Sequence, residues 1–328
     1  MSAFTYIEGA RRALAEELER DHRVWALGED LGRGGVFKQY DGLQARFGAE
    51  RVVDTPISEA TIMGAAVGAA LVGTRPVVEM RFSDFALCAV DELVNQAAKN
   101  RFMFGGQGRV PLVVRQPIGV WRSSGAQHSQ SLESWWVHIP GLVVTAPATP
   151  ADAYGLLKAA IRADDPVVHL EHKALWPLTG PAPETDAPAE LGRGRIARPG
   201  RDVTIVAWSA AVHEAMAAAN IAAARGVDVE VIDLRTLWPW DAEMVLSSVA
   251  RTRRLVVAQE AVRDAGFGAE IVATVTEALG DRLETRPIRL GAPRIPVGYS
   301  APLEAAYRVG PDNIAAALLR AVASPAAA

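Results

Sequence analysis

The chain has 328 residues, half of them apolar, enough for two domains that each bury a core. Its 34 basic and 38 acidic side chains leave a net charge of −4, which provides no basic footprint for nucleic acid or an anionic membrane surface. The single cysteine, Cys88, excludes a disulfide framework, and no apolar run approaches the ~20 residues that span a bilayer, so the sequence predicts a cytoplasmic protein.

MSAFTYIEGARRALAEELER opens an amphipathic helix and lacks the apolar core and cleavage site of a signal peptide. GRGG at Gly32–Gly35 resembles a phosphate loop, but no strong helix pattern follows it, and it is read as a turn. RVVDTPI, RPVVEMRF, RVPLVVRQ, GLVVTAP and PVVHLEHK are predicted strands. EATIMGAAVGAALVG, FALCAVDELVNQAAKNRFMF and PADAYGLLKAAIRAD are the helices between them, the last with Pro150 in its first turn. From Thr179 to Asp202 the chain is proline-rich and loses its apolar periodicity, which reads as a linker. Beyond it come DVTIVAWS, a helix from Ala211, VDVEVIDL, a helix after WPWD, RRLVVAQE, a helix from Gly268 to Leu279, and IRLGAP. Aliphatic strands alternating with helices make parallel sheets covered on both faces, hence two α/β domains in tandem: 1–185, a linker over 186–201, and 202–328.

One stretch departs from ordinary core sequence. In DTPISEATIMGAAVGAALVG, Glu59 is the sole charged side chain between Asp54 and Arg75. The helix macrodipole favours a carboxylate at a helix start. The run that follows, Glu59-x-x-x-x-Gly64-Ala65-x-x-Gly68-Ala69, sets small residues along one face and permits close backbone approach.

This pattern resembles the glutamate motif of the pyrimidine-binding domain of thiamine diphosphate enzymes. DTPISE…VGAALVGTRPVVEMRFSDF is similar to the β subunit of the decarboxylating component of 2-oxoacid dehydrogenase complexes. The similarity continues through DELVNQAAKNRFMFGGQ, VPLVVRQPIG, AQHSQSLESWWVHIPGL, GLLKAAIRADDPVVHLEHK, QEAVRDAGFGAEI and VGYSAPLEAAYRV. It implies a pyrimidine-binding domain followed by a transketolase-type C-terminal domain, and thiamine diphosphate as cofactor. By the same resemblance, Glu59 is the carboxylate that hydrogen-bonds the pyrimidine ring nitrogen, Phe85 stacks on that ring and Ile57 lines its pocket. Arg81 stands in the cofactor pocket where the family has an uncharged Gln or Met. His128, in AQHSQ, faces the thiazolium side and handles substrate and lipoyl groups, work suited to imidazole. Leu112, Ala160, Ile161, Ala163 and Asp165 match a potassium loop that uses mostly backbone oxygens. His22, His138, His169, His172 and His213 follow no metal-ligand spacing and are read as structural.

The chain has no Gly-Asp-Gly motif, by which thiamine enzymes hold Mg²⁺ and the diphosphate. The resemblance therefore implies that an α chain holds most of the Mg²⁺ site. It implies an assembly of two α and two β chains, docking on a lipoyl acyltransferase core, and a 2-oxo acid substrate such as pyruvate. An acetoin dehydrogenase β subunit is a second reading, and Trp121, Trp135, Trp136 and Trp176 supply unusual bulk around such a pocket. A non-catalytic β-like partner is the third, opposed by the joint presence of Glu59, Phe85 and His128.

Overall fold

A computed structural model describes residues 4–183 and 185–323. Its first long helix, α1 (Tyr6–Arg20), starts at a capping box. Thr5 accepts from the Glu8 amide at 3.3 Å, and the Glu8 carboxylate accepts from the Thr5 amide at 2.7 Å. Its apolar face packs on a second helix, Pro150–Arg162, capped by Thr149 with proline in the first turn. Gly9 permits that approach, since a Cβ there would lie 2.5 Å from the Pro150 carbonyl.

The chain divides into two units, the first comprising Met1–Ile118 with Trp135–Leu191 and the second Gly119–Ser134 with Gly192–Ala328. Besides a short antiparallel pair, Phe4–Thr5 with Thr179–Gly180, the strands of the first unit in chain order are β1 (Val24–Gly28), β2 (Val52–Asp54), β3 (Arg75–Glu79), β4 (Val113–Ile118), β5 (Val143–Thr145) and β6 (Val167–His172). These six described strands lie side by side in the order β5-β6-β4-β3-β1-β2, all parallel. Every residue of β4 and β6 is buried, as expected of strands covered on both faces. β1 was not among the strands expected, because VWALG is short and runs straight into polar GED. From β1 the chain goes to β2 on one side and then to β3 on the other. The carboxyl ends of β1 and β3 therefore flank the switch point where open α/β sheets form their ligand crevice.

Helix α2 (Glu59–Leu71) packs on β3 and on the turn that follows it. The long helix expected from Phe85 to Phe104 is helical but unevenly wound: a 3₁₀ turn at Phe85–Ala89, a π turn at Glu92–Ala97 and α-helix at Ala98–Met103. GRGG forms a turn, with Gly34 and Gly35 at positive φ and the Gly32 amide donating to Asp54 at 2.8 Å.

The second unit has β7 (Arg195–Arg198), β8 (Val203–Ala207), β9 (Val229–Asp233), β10 (Leu255–Val262) and β11 (Ile288–Ala292). These five described strands lie in the order β11-β10-β8-β9-β7, with β7 antiparallel and the others parallel. β7 falls within the proline-rich stretch. Among the described residues no helix is long and apolar enough to cross a membrane.

His169, on β6, is fully buried with Nδ1 2.7 Å from the Thr145 hydroxyl. Burial lowers its pKa from 6.5 to about 4. The folded chain thus binds fewer protons than the unfolded chain between those values, and stability present above pH 6.5 drains away as pH falls through the window. The loss is on the order of 3 kcal/mol. Urea titrations from pH 7 to pH 4 are expected to show a steeper decline for wild type than for His169→Gln; parallel curves would contradict it.

Candidate active site

Glu59 is the first residue of α2. Ser58, before it, makes no cap with its side chain and instead donates to the Thr61 hydroxyl at 2.8 Å. The carboxylate is partly exposed, and among the described residues nothing hydrogen-bonds or ion-pairs with it. α2 packs against the turn that begins with Phe85, so the carboxylate and the ring sit on elements in contact. Ile57, 75% exposed, precedes them.

Phe85 belongs to an aromatic series. Its ring lies 6.0 Å from Phe82, Phe82 lies 5.7 Å edge-on from Phe37, and Phe37 lies 4.2 Å from Trp176. The buried ammonium of Lys173 sits 5.1 Å over the Phe82 ring. Three hydrogen bonds pin the segment between β3 and Phe85 to β4. The Met80 and Ser83 amides donate to the carbonyls of Arg115 and Pro117 at 3.0 Å, and the Ser83 hydroxyl donates to Gln116 at 3.0 Å.

Arg81 lies at the carboxyl end of β3. Its guanidinium reaches Glu29, just past β1, at 3.2 Å and Asp30 at 3.4 Å, an ion pair across the switch point. Gly28 makes that approach feasible, because a Cβ there would stand 2.8 Å from the Glu79 carbonyl.

Behind this rim is a buried polar cluster. Arg115 donates to both oxygens of Glu171 at 2.9 and 3.0 Å, while Glu79 accepts from Tyr40 at 2.9 Å and Gln39 at 3.1 Å. Desolvation pushes the Glu79 carboxyl up to about 7, against the pull of Arg115. No residue of this cluster was singled out from sequence. The available signal was charge inside aliphatic strands, as in VVEM, VVRQ and VVHLEH.

His128 is carried by the second unit, whereas Ile57, Glu59, Arg81 and Phe85 belong to the first. It closes a short helical turn, Gly125–His128. Gly125 has φ of 74°, and a Cβ there would lie 2.2 Å from the Tyr299 ring, so glycine is required on both counts.

At the residues matched to a potassium loop, the Arg75 guanidinium donates to the carbonyls of Ile161 at 3.2 Å and Ala163 at 2.8 Å, and to the Asp164 carboxylate at 2.6 Å. Asp165 pairs with Arg101, Asp164 also with Arg109, the Ala160 carbonyl accepts from the Ala163 amide and the Leu112 carbonyl from Val167. The Ile161 and Ala163 carbonyls and the Asp164 and Asp165 carboxylates thus face guanidinium charge, while the Ala160 and Leu112 carbonyls accept from backbone amides. Among the described residues no group of three or more His, Cys, Asp or Glu side chains is placed to hold a metal ion.

Residues 2–179 match the transketolase pyrimidine-binding domain and residues 192–314 the transketolase C-terminal domain. The 2-oxoisovalerate dehydrogenase subunit beta of Bacillus subtilis is 39% identical, over 97% of this chain and 98% of the relative. The mitochondrial pyruvate dehydrogenase E1 component subunit beta of Dictyostelium discoideum is 40% identical, over 96% and 90%. The acetoin:2,6-dichlorophenolindophenol oxidoreductase subunit beta of Cupriavidus necator is 42% identical, over 93% of each. Among solved structures, a split-gene transketolase described as an inactive beta4 tetramer superposes with a TM-score of 0.78 at 24% identity, covering 98% of this chain and 99% of that one, a likeness of fold. A transketolase-type α/β pair of domains is thus the class, and the chain belongs to the β-subunit family of the 2-oxoacid and acetoin dehydrogenases.

Proposed function

We propose that this chain is the β subunit of a 2-oxoacid dehydrogenase, supplying the pyrimidine half of a thiamine diphosphate site that an α chain completes. The observation that carries the reading is the Glu59 carboxylate, without a protein partner among the described residues, at a helix start packed on the turn that bears Phe85. A bound aminopyrimidine fits that donor set: a carboxylate to share a proton with a ring nitrogen, an aromatic face to stack on and the apolar Ile57 beside them. When bound, thiamine diphosphate supplies the carbon nucleophile for decarboxylating a 2-oxo acid. Glu59 holds and returns the proton at the pyrimidine edge. Phe85 fixes the plane of the ring. Arg81, its charge matched by Glu29 and Asp30, forms a braced rim instead of an anion receptor. His128 moves protons for substrate and lipoyl groups on the thiazolium side.

The missing Gly-Asp-Gly motif supports placing Mg²⁺ and the diphosphate on the α chain, in an assembly of two α and two β chains. The acyl group then passes to a lipoyl group of an acyltransferase core, in the cytoplasm. Arg75 supplies positive charge at the carbonyls of Ile161 and Ala163, two of the five residues that the resemblance matches to a potassium loop. The acetoin-cleaving relative supports a second reading, in which the same residues act on acetoin.

The test is the complex with its α chain, Mg²⁺ and thiamine diphosphate, offered pyruvate, branched-chain 2-oxo acids and acetoin with a lipoylated acceptor. Turnover of a 2-oxo acid is expected to exceed that of acetoin. Turnover of acetoin alone would favour the second reading, and a complex with bound cofactor that consumed none of them would overturn both.

A further inference from the structure

The loop that carries His128 leaves the first unit after Ile118 and rejoins it at Trp135, yet Gly119–Ser134 groups with the second unit. Its neck closes where the Gly119 amide donates to the Gln130 carbonyl at 3.2 Å. One oxygen of Glu260 spans the neck, accepting from the Val120 amide at 2.9 Å and from the Ser131 hydroxyl at 3.2 Å. Farther out, Glu304 accepts from the Ser123 amide at 2.9 Å, and Arg308 donates to the Val120 carbonyl. Val120 packs with Ala292, Val297 and Tyr307, and the Trp208 indole donates to Glu133 at 3.0 Å.

The placement of Glu260 has a cause in the sheet. β8 leads to β9 on one side and β10 lies on the other, so the ends of β8 and β10 flank this sheet's switch point. Trp208 follows β8, and Glu260 lies near the end of β10, where pairing with β11 changes register between Ala258 and Val262. Such an irregularity re-aims a side chain out of the strand's alternation. The neighbouring Gln259 turns to the next helix, accepting from the Gly268 amide at 2.8 Å, and leaves Glu260 to the loop.

We infer that Glu260 is the positioning residue of the His128 loop: its carboxylate ties both ends of the loop to the second sheet and so fixes where the imidazole is presented. For catalysis this rests on the reaction proposed above; the tie itself does not. Glu304, Arg308 and Trp208 keep the loop on the unit when Glu260 is changed.

Amide exchange of the chain, followed by mass spectrometry over 119–134, tests the tie. Glu260→Ala is expected to speed exchange at the neck about tenfold, the change that losing one hydrogen bond to a charged acceptor brings. Glu260→Gln, which keeps an acceptor oxygen, is expected to restore most of the protection. Unchanged exchange in the alanine variant would overturn the tie. In the complex with its α chain, Glu260→Ala should lower kcat with little change in the cofactor concentration needed for half activity, and should cost almost nothing further once His128→Ala is present. Additive losses in that cycle would overturn the positioning role. If the wild-type complex consumed no 2-oxo acid or acetoin, the reading of function would fall while exchange still decided the tie.

Discussion

Glu59→Gln is expected to lower turnover of the assembled enzyme by about 10²–10⁴-fold, the span that a positioned acid–base group contributes, while leaving the fold in place. The two effects separate because of where the residue sits. Glu59 is partly exposed at the first turn of α2 and receives no hydrogen bond from the described protein, so an amide of nearly equal shape forfeits only the attraction of a carboxylate to the helix dipole. That attraction is about 0.3–1 kcal/mol. The amide cannot accept and return a proton at a ring nitrogen, which is the work assigned to the carboxylate. Deuterium exchange at the thiazolium carbon of bound thiamine diphosphate, measured in the complex, reads this without substrate. Exchange at the wild-type rate would remove Glu59 from its role. A large fall in thermal stability would show that the side chain serves the fold.

The elements that sequence reveals here are those whose signals are local. Pro150 opens a helix behind Thr149, and the aliphatic runs at Val113–Ile118 and Val167–His172 are strands buried on both faces. Glu59 could be picked out because it is an isolated charge in an apolar stretch. What stayed hidden depends on pairs far apart in the chain. The allegiance of Gly119–Ser134 to the second unit is set by Glu260, Glu304 and Arg308, more than a hundred residues away, and no pattern within the loop announces it. Glu260 lay inside QEAVRDAGFGAEI, a segment legible as similar to the family but silent about what the carboxylate touches. Glu29 and Arg81 likewise gain meaning only when β1 and β3 become neighbours. The helix from Phe85 was visible in outline, but its change of winding was not, because apolar spacing over a few residues does not separate 3₁₀, α and π turns.

The purified chain alone is expected to bind thiamine diphosphate weakly and to decarboxylate no 2-oxo acid. Most of the affinity for such a cofactor comes from its diphosphate and Mg²⁺, because contacts between charged groups are the strong ones. This chain has no Gly-Asp-Gly motif, and its described residues place no group of three acidic, histidine or cysteine ligands together. What it offers instead is the Glu59 carboxylate, the Phe85 ring and the apolar Ile57. Two charge-assisted contacts at about 1.5–3 kcal/mol each correspond to at least a hundredfold in affinity, which is the gap expected between the lone chain and the complex. The first unit also leaves Ile57, Leu71, Val72, Phe102, Met103 and Phe104 exposed. Side chains of that kind favour self-association when a partner is missing. Titration calorimetry of the lone chain against the cofactor with Mg²⁺ is expected to give little heat, and addition of the α chain should bring Mg²⁺-dependent binding and turnover together. Tight, Mg²⁺-dependent binding by the lone chain would refute the divided site, since the metal would then have ligands on this polypeptide.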